Sequence, residues 1–64
     1  SGATGLMAEK FHIEFSDQWS RWHHLQMKYN LPDAVRTAQA RARSTGKRHR
    51  VMDDDGHLLD LIYP

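Results

Sequence analysis

The chain contains no cysteine. That one absence excludes a disulfide scaffold, a thiolate zinc site and a thiol nucleophile together. Of the usual staples for a small fold, it leaves self-association or a histidine-held metal. Long hydrophobic runs are missing as well: nothing approaches the roughly 20 apolar residues that span a bilayer. The start of the chain shows no basic stretch followed by an apolar one, so no secretory leader is expected. Also absent are a glycine-rich phosphate loop, a serine elbow and carboxylates at a paired catalytic spacing. These absences argue against an enzyme, and so does a size with little room for a pocket of the usual ~300 Å³ or more.

What is present is short: 64 residues, 39% hydrophobic and 27% charged, with a net charge of +1. One domain at most fits that length, and a domain of that size buries only about 60% of the surface its unfolded chain exposes. Ser1 to Leu6 read as a vector-derived remnant or tail ahead of Met7, which leaves a single domain over residues 7–64. The chain reads as a soluble, cytoplasmic protein.

The small net charge conceals strong segregation. Residues 1–35 carry a net −1, residues 36–50 a net +6 with no acidic residue, and residues 51–64 a net −4 with no base. The basic block comprises Arg36, Arg41, Arg43, Lys47, Arg48 and Arg50, and the acidic one Asp53, Asp54, Asp55 and Asp60. A basic block followed by an acidic one says more about partners than the overall isoelectric point does. Such blocks are also what ordinary solvated faces look like.

Hydrophobic periodicity predicts strand, strand, helix, strand, strand. Phe11, Ile13 and Phe15 alternate with His12 and Glu14, the period of a half-buried strand. After a turn at Ser16-Asp17-Gln18, residues 21–29 alternate again, with Leu25, Met27 and Tyr29 on one face and His24, Gln26 and Lys28 on the other. Trp22 falls with the polar set. Two positions compete for it. A bulge at His23-His24 would swing it into the core beside Leu25; without a bulge it stands on the open face as a platform for a ligand or partner. A tryptophan is a large apolar group to leave outside, so the core position is preferred.

Asn30-Leu31-Pro32-Asp33 has the chemistry of a helix start, and Gly46 that of a left-handed stop after about Thr45. Projected at about 100° per residue, Val35, Ala38 and Ala42 share a face flanked by Ala34 and Thr45. A face made mostly of alanine requires the helix to lie close to the sheet. Asp54-Asp55-Gly56 fits a three-residue hairpin loop with Gly56 left-handed. That loop pairs Asp53 with His57, Val51 with Leu59, His49 with Leu61 and Arg50 with Asp60. Val51, Leu59, Leu61 and Tyr63 then share one face, and Arg48, Met52, Leu58 and Ile62 the other.

The expectation is an α+β domain, β-β-α-β-β, with a four-stranded antiparallel sheet and one helix packed across one face. The open face would carry His12, Glu14, His24, Gln26, Lys28, Arg48, Met52, Leu58 and Ile62. Its apolar members mark a patch for a homodimer or a partner.

Arginine forks bind phosphate bidentately, so Arg36, Arg41, Arg43, Lys47, Arg48 and Arg50 are the candidate nucleic-acid contacts. Trp22, Tyr29 and His24 could add stacking surface for unpaired bases, with Lys28 on the same strand. No helix-turn-helix, zinc-finger or other nucleic-acid signature accompanies them. The same block could dock on an acidic protein surface, and in size the chain is similar to compact proteins that phages and mobile elements encode to bind host factors.

Metal chemistry finds less support. Aligning Gly56 with the glycine of a calcium loop puts Val51 and Ile62 at ligand positions, and neither can coordinate. Adjacent His23 and His24 point to opposite faces of a strand. His12 and His24 could converge from neighbouring strands but would want a third ligand, with Glu14 the obvious candidate. The histidines therefore read as surface residues, and neither metal nor cofactor is expected.

Overall fold

A computed structural model describes residues 9–64. The reading of Ser1 to Leu6 as a tail lies outside the described residues. Four strands and one helix follow in order: β1 (Phe11–Ser16), β2 (Trp22–Lys28), α1 (Leu31–Thr45), β3 (His49–Asp53) and β4 (Leu58–Ile62). The strands form one antiparallel sheet in the order β2-β1-β3-β4. The two hairpins are therefore joined through β1 and β3, and α1 crosses one face of the sheet.

The helix begins and ends where its sequence says it should. Asn30 is the N-cap, and its side chain accepts a hydrogen bond from the Asp33 N–H at 3.0 Å. Pro32 sits in the first turn, where its missing N–H has no cost. Gly46 closes the helix at φ 72° and donates its N–H to Ala42. Ala34, Ala38 and Ala42 are fully buried. Small side chains bring the helix backbone down onto Phe11 and Ile13 of β1, Val51 of β3 and Ile62 of β4, with Leu25 and Val35 packed around the edge.

Both loops are built on the same plan. Asp53 accepts the N–H groups of Asp55 (2.9 Å) and His57 (2.8 Å) on one carboxylate oxygen, and Gly56 takes the left-handed position at φ 83°. Asp17 does the same for Trp19 (2.7 Å) and Arg21 (3.0 Å), with Ser20 left-handed at φ 62°. The three-residue loop expected at residues 54–56 thus has an unexpected twin at residues 18–20, with serine in glycine's place.

Register is where structure and sequence part. In β2, Ile13 pairs with Gln26 but Glu14 with His24, so Leu25 is an extra, bulged residue. The expected bulge at His23-His24 lies one position further along, and the consequence for Trp22 is opposite. Trp22 stands on the open face rather than in the core, beside His24, which is expected there, and Met27 joins them. Gln26 and Lys28, expected on the open face, pair instead with Ile13 and Phe11 on the helix side. A second bulge leaves Leu59 as the extra residue of β4. Beyond it, Val51 pairs with Asp60, Arg50 with Leu61 and His49 with Ile62, each one residue away from the expected partner. Ile62 is therefore buried under the helix and Leu61 turned outward. A one-residue slip exchanges the faces of a whole strand, and here it places a β-branched residue in the small core. It also separates Arg50 from Asp60.

Because the alanine face sets the helix–sheet distance, Ala38→Leu should overpack it and cost about 1–3 kcal/mol. Ala40→Leu, on the exposed side of the same helix, should stay within about 0.5 kcal/mol of the parent. Denaturant midpoints of the two variants measure the difference.

Candidate functional site

The uncovered face of the sheet is organised in three cross-strand rows. Trp22, Ser16 and Arg48 form the first; His24, Glu14, Arg50 and Leu61 the second; Met27, His12, Met52 and Leu58 the third. The first two rows are basic and aromatic. The Arg50 guanidinium lies 4.3 Å from the Trp22 ring centroid, and that of Arg48 lies 5.6 Å from it. Arg50 donates Nε–H to Glu14 at 2.6 Å, and both side chains are about a quarter exposed, so this cation is held in one place. Arg48 reaches the hydroxyl of Ser16 at 3.4 Å. Two guanidiniums over one indole form a cation–π arrangement on the exposed face. In the third row Leu58 is 54% exposed, and Met27 and Met52 are half-buried.

Next to the first row lies the β1–β2 loop. The Asp17 carboxylate organises it, taking two backbone N–H groups on one oxygen and contacting the His23 Nε2 at 2.6 Å on the other. The His23 hydrogen bond, followed by the one from the Arg21 N–H, lowers the Asp17 pKa from 3.8 to about 2. The rigid loop presents Trp19 outward, 70% exposed. On the helix side of the same end, Phe15 stacks on His23 at 5.2 Å, and Lys47 Nζ lies 5.0 Å from the Phe15 ring centroid. His49 is buried, and its Nδ1 donates to the Lys47 carbonyl at 2.9 Å.

The topology turns the charge blocks of the sequence into charged ends of the molecule. Antiparallel pairing of Phe11 with Asp53 and of Phe15 with His49 puts the β3–β4 loop at one end and the β1–β2 loop at the other. The helix spans the same distance, about 22 Å for its length. Arg21, Arg41, Arg43, Lys47 and Arg48 collect at the helix C-terminal end, and Asp33, Asp53, Asp54 and Asp55 at the N-terminal end. These nine charges lie where the helix dipole favours them, while Asp17 at the basic end and Lys28 at the acidic end run against the pattern. Among the described residues, none of those five cations has a carboxylate within ion-pair distance.

The residues expected to bind divide accordingly. Trp22, His24, Arg48 and Arg50 come together on the open face. Arg41 and Lys47 line a groove with Phe15, Leu25, Thr45 and His49 on the β2 side of the helix. Arg43 lies on the other side, beside Gln39, Asp60 and Tyr63. Arg36 is ion-paired with Asp33 on the outer helix surface, and Lys28 faces the helix side opposite Phe11. Sequence reasoning missed the exposed Trp19 and the pairing of Glu14 with Arg50. An aspartate three residues before a serine or glycine was the signal for the loop.

No family model matches the chain, and neither does any curated protein or solved structure.

Among the described residues, no helix is long and apolar enough to cross a membrane. Two groupings place metal-ligating atoms close together. Asp53, Asp55 and His57 bring theirs within 4.8 Å of one another, but the Asp53 carboxylate is already engaged by the N–H groups of its loop. Those bonds, chiefly that from the His57 N–H, lower the Asp53 pKa, and the side-chain bond to Asp53 raises that of His57. The other grouping is His12 and His24 on the open face.

The lowered Asp17 pKa fixes the sign of an acid effect. The loop's contribution to stability is present above pH 3.8 and is lost as pH falls through about 2. Asp17→Asn should lower the denaturant midpoint at neutral pH and narrow the gap between neutral and strongly acidic midpoints. An unchanged gap would mean that the carboxylate is not what closes the loop.

Proposed function

We propose that the protein is a cytoplasmic, non-catalytic module that binds nucleic acid at the basic end of its open sheet face. The observation carrying this reading is the pair of guanidiniums, Arg48 and Arg50, held over Trp22, with Lys47, Arg41 and Arg21 at the same end of the molecule and, among the described residues, no carboxylate within ion-pair distance of those three. Cations without carboxylate partners attract phosphate over a distance, and arginine forks then take phosphate oxygens in pairs. Trp19, held out on a closed loop, supplies a π-face on which an unpaired base can stack. Nothing on this surface has the shape of a helix made to enter a groove, which favours single strands. Arg36 and Lys28 take no part.

A second reading has its own support. Met27, Met52 and Leu58 occupy the third row of the same face, with Leu61 next to them in the second, and suit a protein partner or a second copy of this chain. In a two-fold pair with the sheets stacked and the strands running in opposite directions, the basic end of each copy would lie over the acidic loop of the other.

Fluorescence anisotropy with labelled single- and double-stranded oligonucleotides separates the two. Nucleic-acid binding predicts affinity that falls steeply with salt. Lys47→Ala and Arg48→Ala should each make the salt slope shallower by about one, the signature of one phosphate no longer neutralised. Trp19→Ala should weaken single-strand binding by about 1–3 kcal/mol if one base stacks there. Absence of binding at low salt would overturn the reading. Salt-tolerant self-association that Leu58→Asp abolishes would support the second.

A further inference from the structure

His12 and His24 approach one another in the middle of the open face, from adjacent strands and from rows one step apart. The His12 Nδ1 lies 3.3 Å from the His24 Nε2, and the rings are tilted by 58°. The other nitrogen of His12, Nε2, is 2.5 Å from the Asp54 Oδ1 of the β3–β4 loop. A carboxylate can only accept, so the proton of neutral His12 resides on Nε2, and Nδ1 turns a lone pair toward His24. Two nitrogens bound to one tetrahedral ion at about 2.0–2.1 Å stand about 3.3–3.4 Å apart. The separation in this structure therefore suits a shared ion as it stands. In the absence of an ion the same separation is that of a long hydrogen bond from a His24 N–H to the His12 lone pair, which an entering ion replaces.

The surroundings complete the chemistry. A ligating histidine whose second nitrogen is held by a carboxylate has its tautomer and ring orientation fixed by it, and Asp54 stands in that relation to His12. The sheet register places Met27 on one side of His12 and Met52 on the other. Directly opposed residues on neighbouring strands bring their Cβ atoms to about 4.5–5.5 Å, within reach of a flexible thioether. Two imidazoles with thioethers alongside form a soft-to-borderline donor set, and such a set favours copper over the other first-row ions. Glu14, the third ligand that sequence reasoning suggested, is committed to Arg50 instead.

We propose that His12 and His24 form a copper-binding site on the open sheet face, with Asp54 as the group that orients His12 and with Met27 and Met52 as flanking soft donors. The site shares His24 with the surface proposed for nucleic acid but uses neither Arg48, Arg50 nor Trp22, so variants of those residues separate the two readings.

Titration calorimetry of the full chain with Cu(II), and with Cu(I) under anaerobic conditions against a chromophoric chelator, tests this. One ion per chain is expected, and both His12→Gln and His24→Gln should abolish binding. Asp54→Asn should weaken it by about 10- to 100-fold. His57→Gln should leave it unchanged. Met27→Leu with Met52→Leu should weaken Cu(I) and spare Cu(II). Electron paramagnetic resonance of the Cu(II) form should show coupling to two ring nitrogens, and circular dichroism checks that each variant is folded. Copper binding that survives removal of both histidines, or that follows His57 instead, would overturn the assignment. So would the absence of one-to-one binding by the folded parent chain.

Discussion

Everything in this molecule follows from the contact between an alanine stripe and a flat apolar patch. Ala34, Ala38 and Ala42 let the helix backbone settle directly on Ile13, Val51 and Ile62. The contact is close but narrow, and it uses the one helix among the described residues. One face of the sheet is thereby covered and the other left open. The strands accordingly carry two kinds of surface: Ile13, Val51 and Ile62 with Phe11 and a buried His49 under the helix, and a mixture of tryptophan, arginine, histidine, methionine and leucine away from it.

The elements were readable because each rests on local chemistry. Asparagine before Leu-Pro-Asp caps a helix, glycine after Thr45 ends it, and alternation marks strands of five to seven residues. The faces of β2 and β4 were only partly readable: the break in alternation at Trp22 signalled a bulge in β2, but its position, and the bulge in β4, are decided by pairing with the neighbouring strand. Strict alternation cannot say whether Ile62 or Leu61 should be buried; that depends on how β4 slides against β3 until a branched side chain fits beneath Ala38 and Ala42. Trp22 is the instructive case. Its size argued for the core, but the bulge at Leu25 pairs it with Ser16 on the open face, and two guanidiniums supply it with partners there.

The basic block illustrates a different limit. Six cations within fifteen residues look like one site along the chain, yet a helix turns its residues through every direction and the following strand alternates between two. Arg36 and Arg43 end up on separate surfaces. Only Arg48 and Arg50, two apart on one strand, were bound to share a face. What the linear pattern does transmit is polarity along the long direction: the block ends the helix and begins β3, while the aspartates end β3, so the antiparallel return of the chain sets opposite charges at opposite ends.

The two bulges have a meaning beyond register. Leu25 and Leu59 lie on β2 and β4, the two outermost strands. An outer strand offers a row of unsatisfied N–H and C=O groups, which a strand from another molecule can zip onto without limit. An extra residue in that row breaks its spacing and increases the local twist, so an incoming strand loses its hydrogen bonds after a few residues. Edge-to-edge addition is thereby disfavoured on both sides of the four strands described, and the open face is left as the surface on which a contact does not lengthen the sheet.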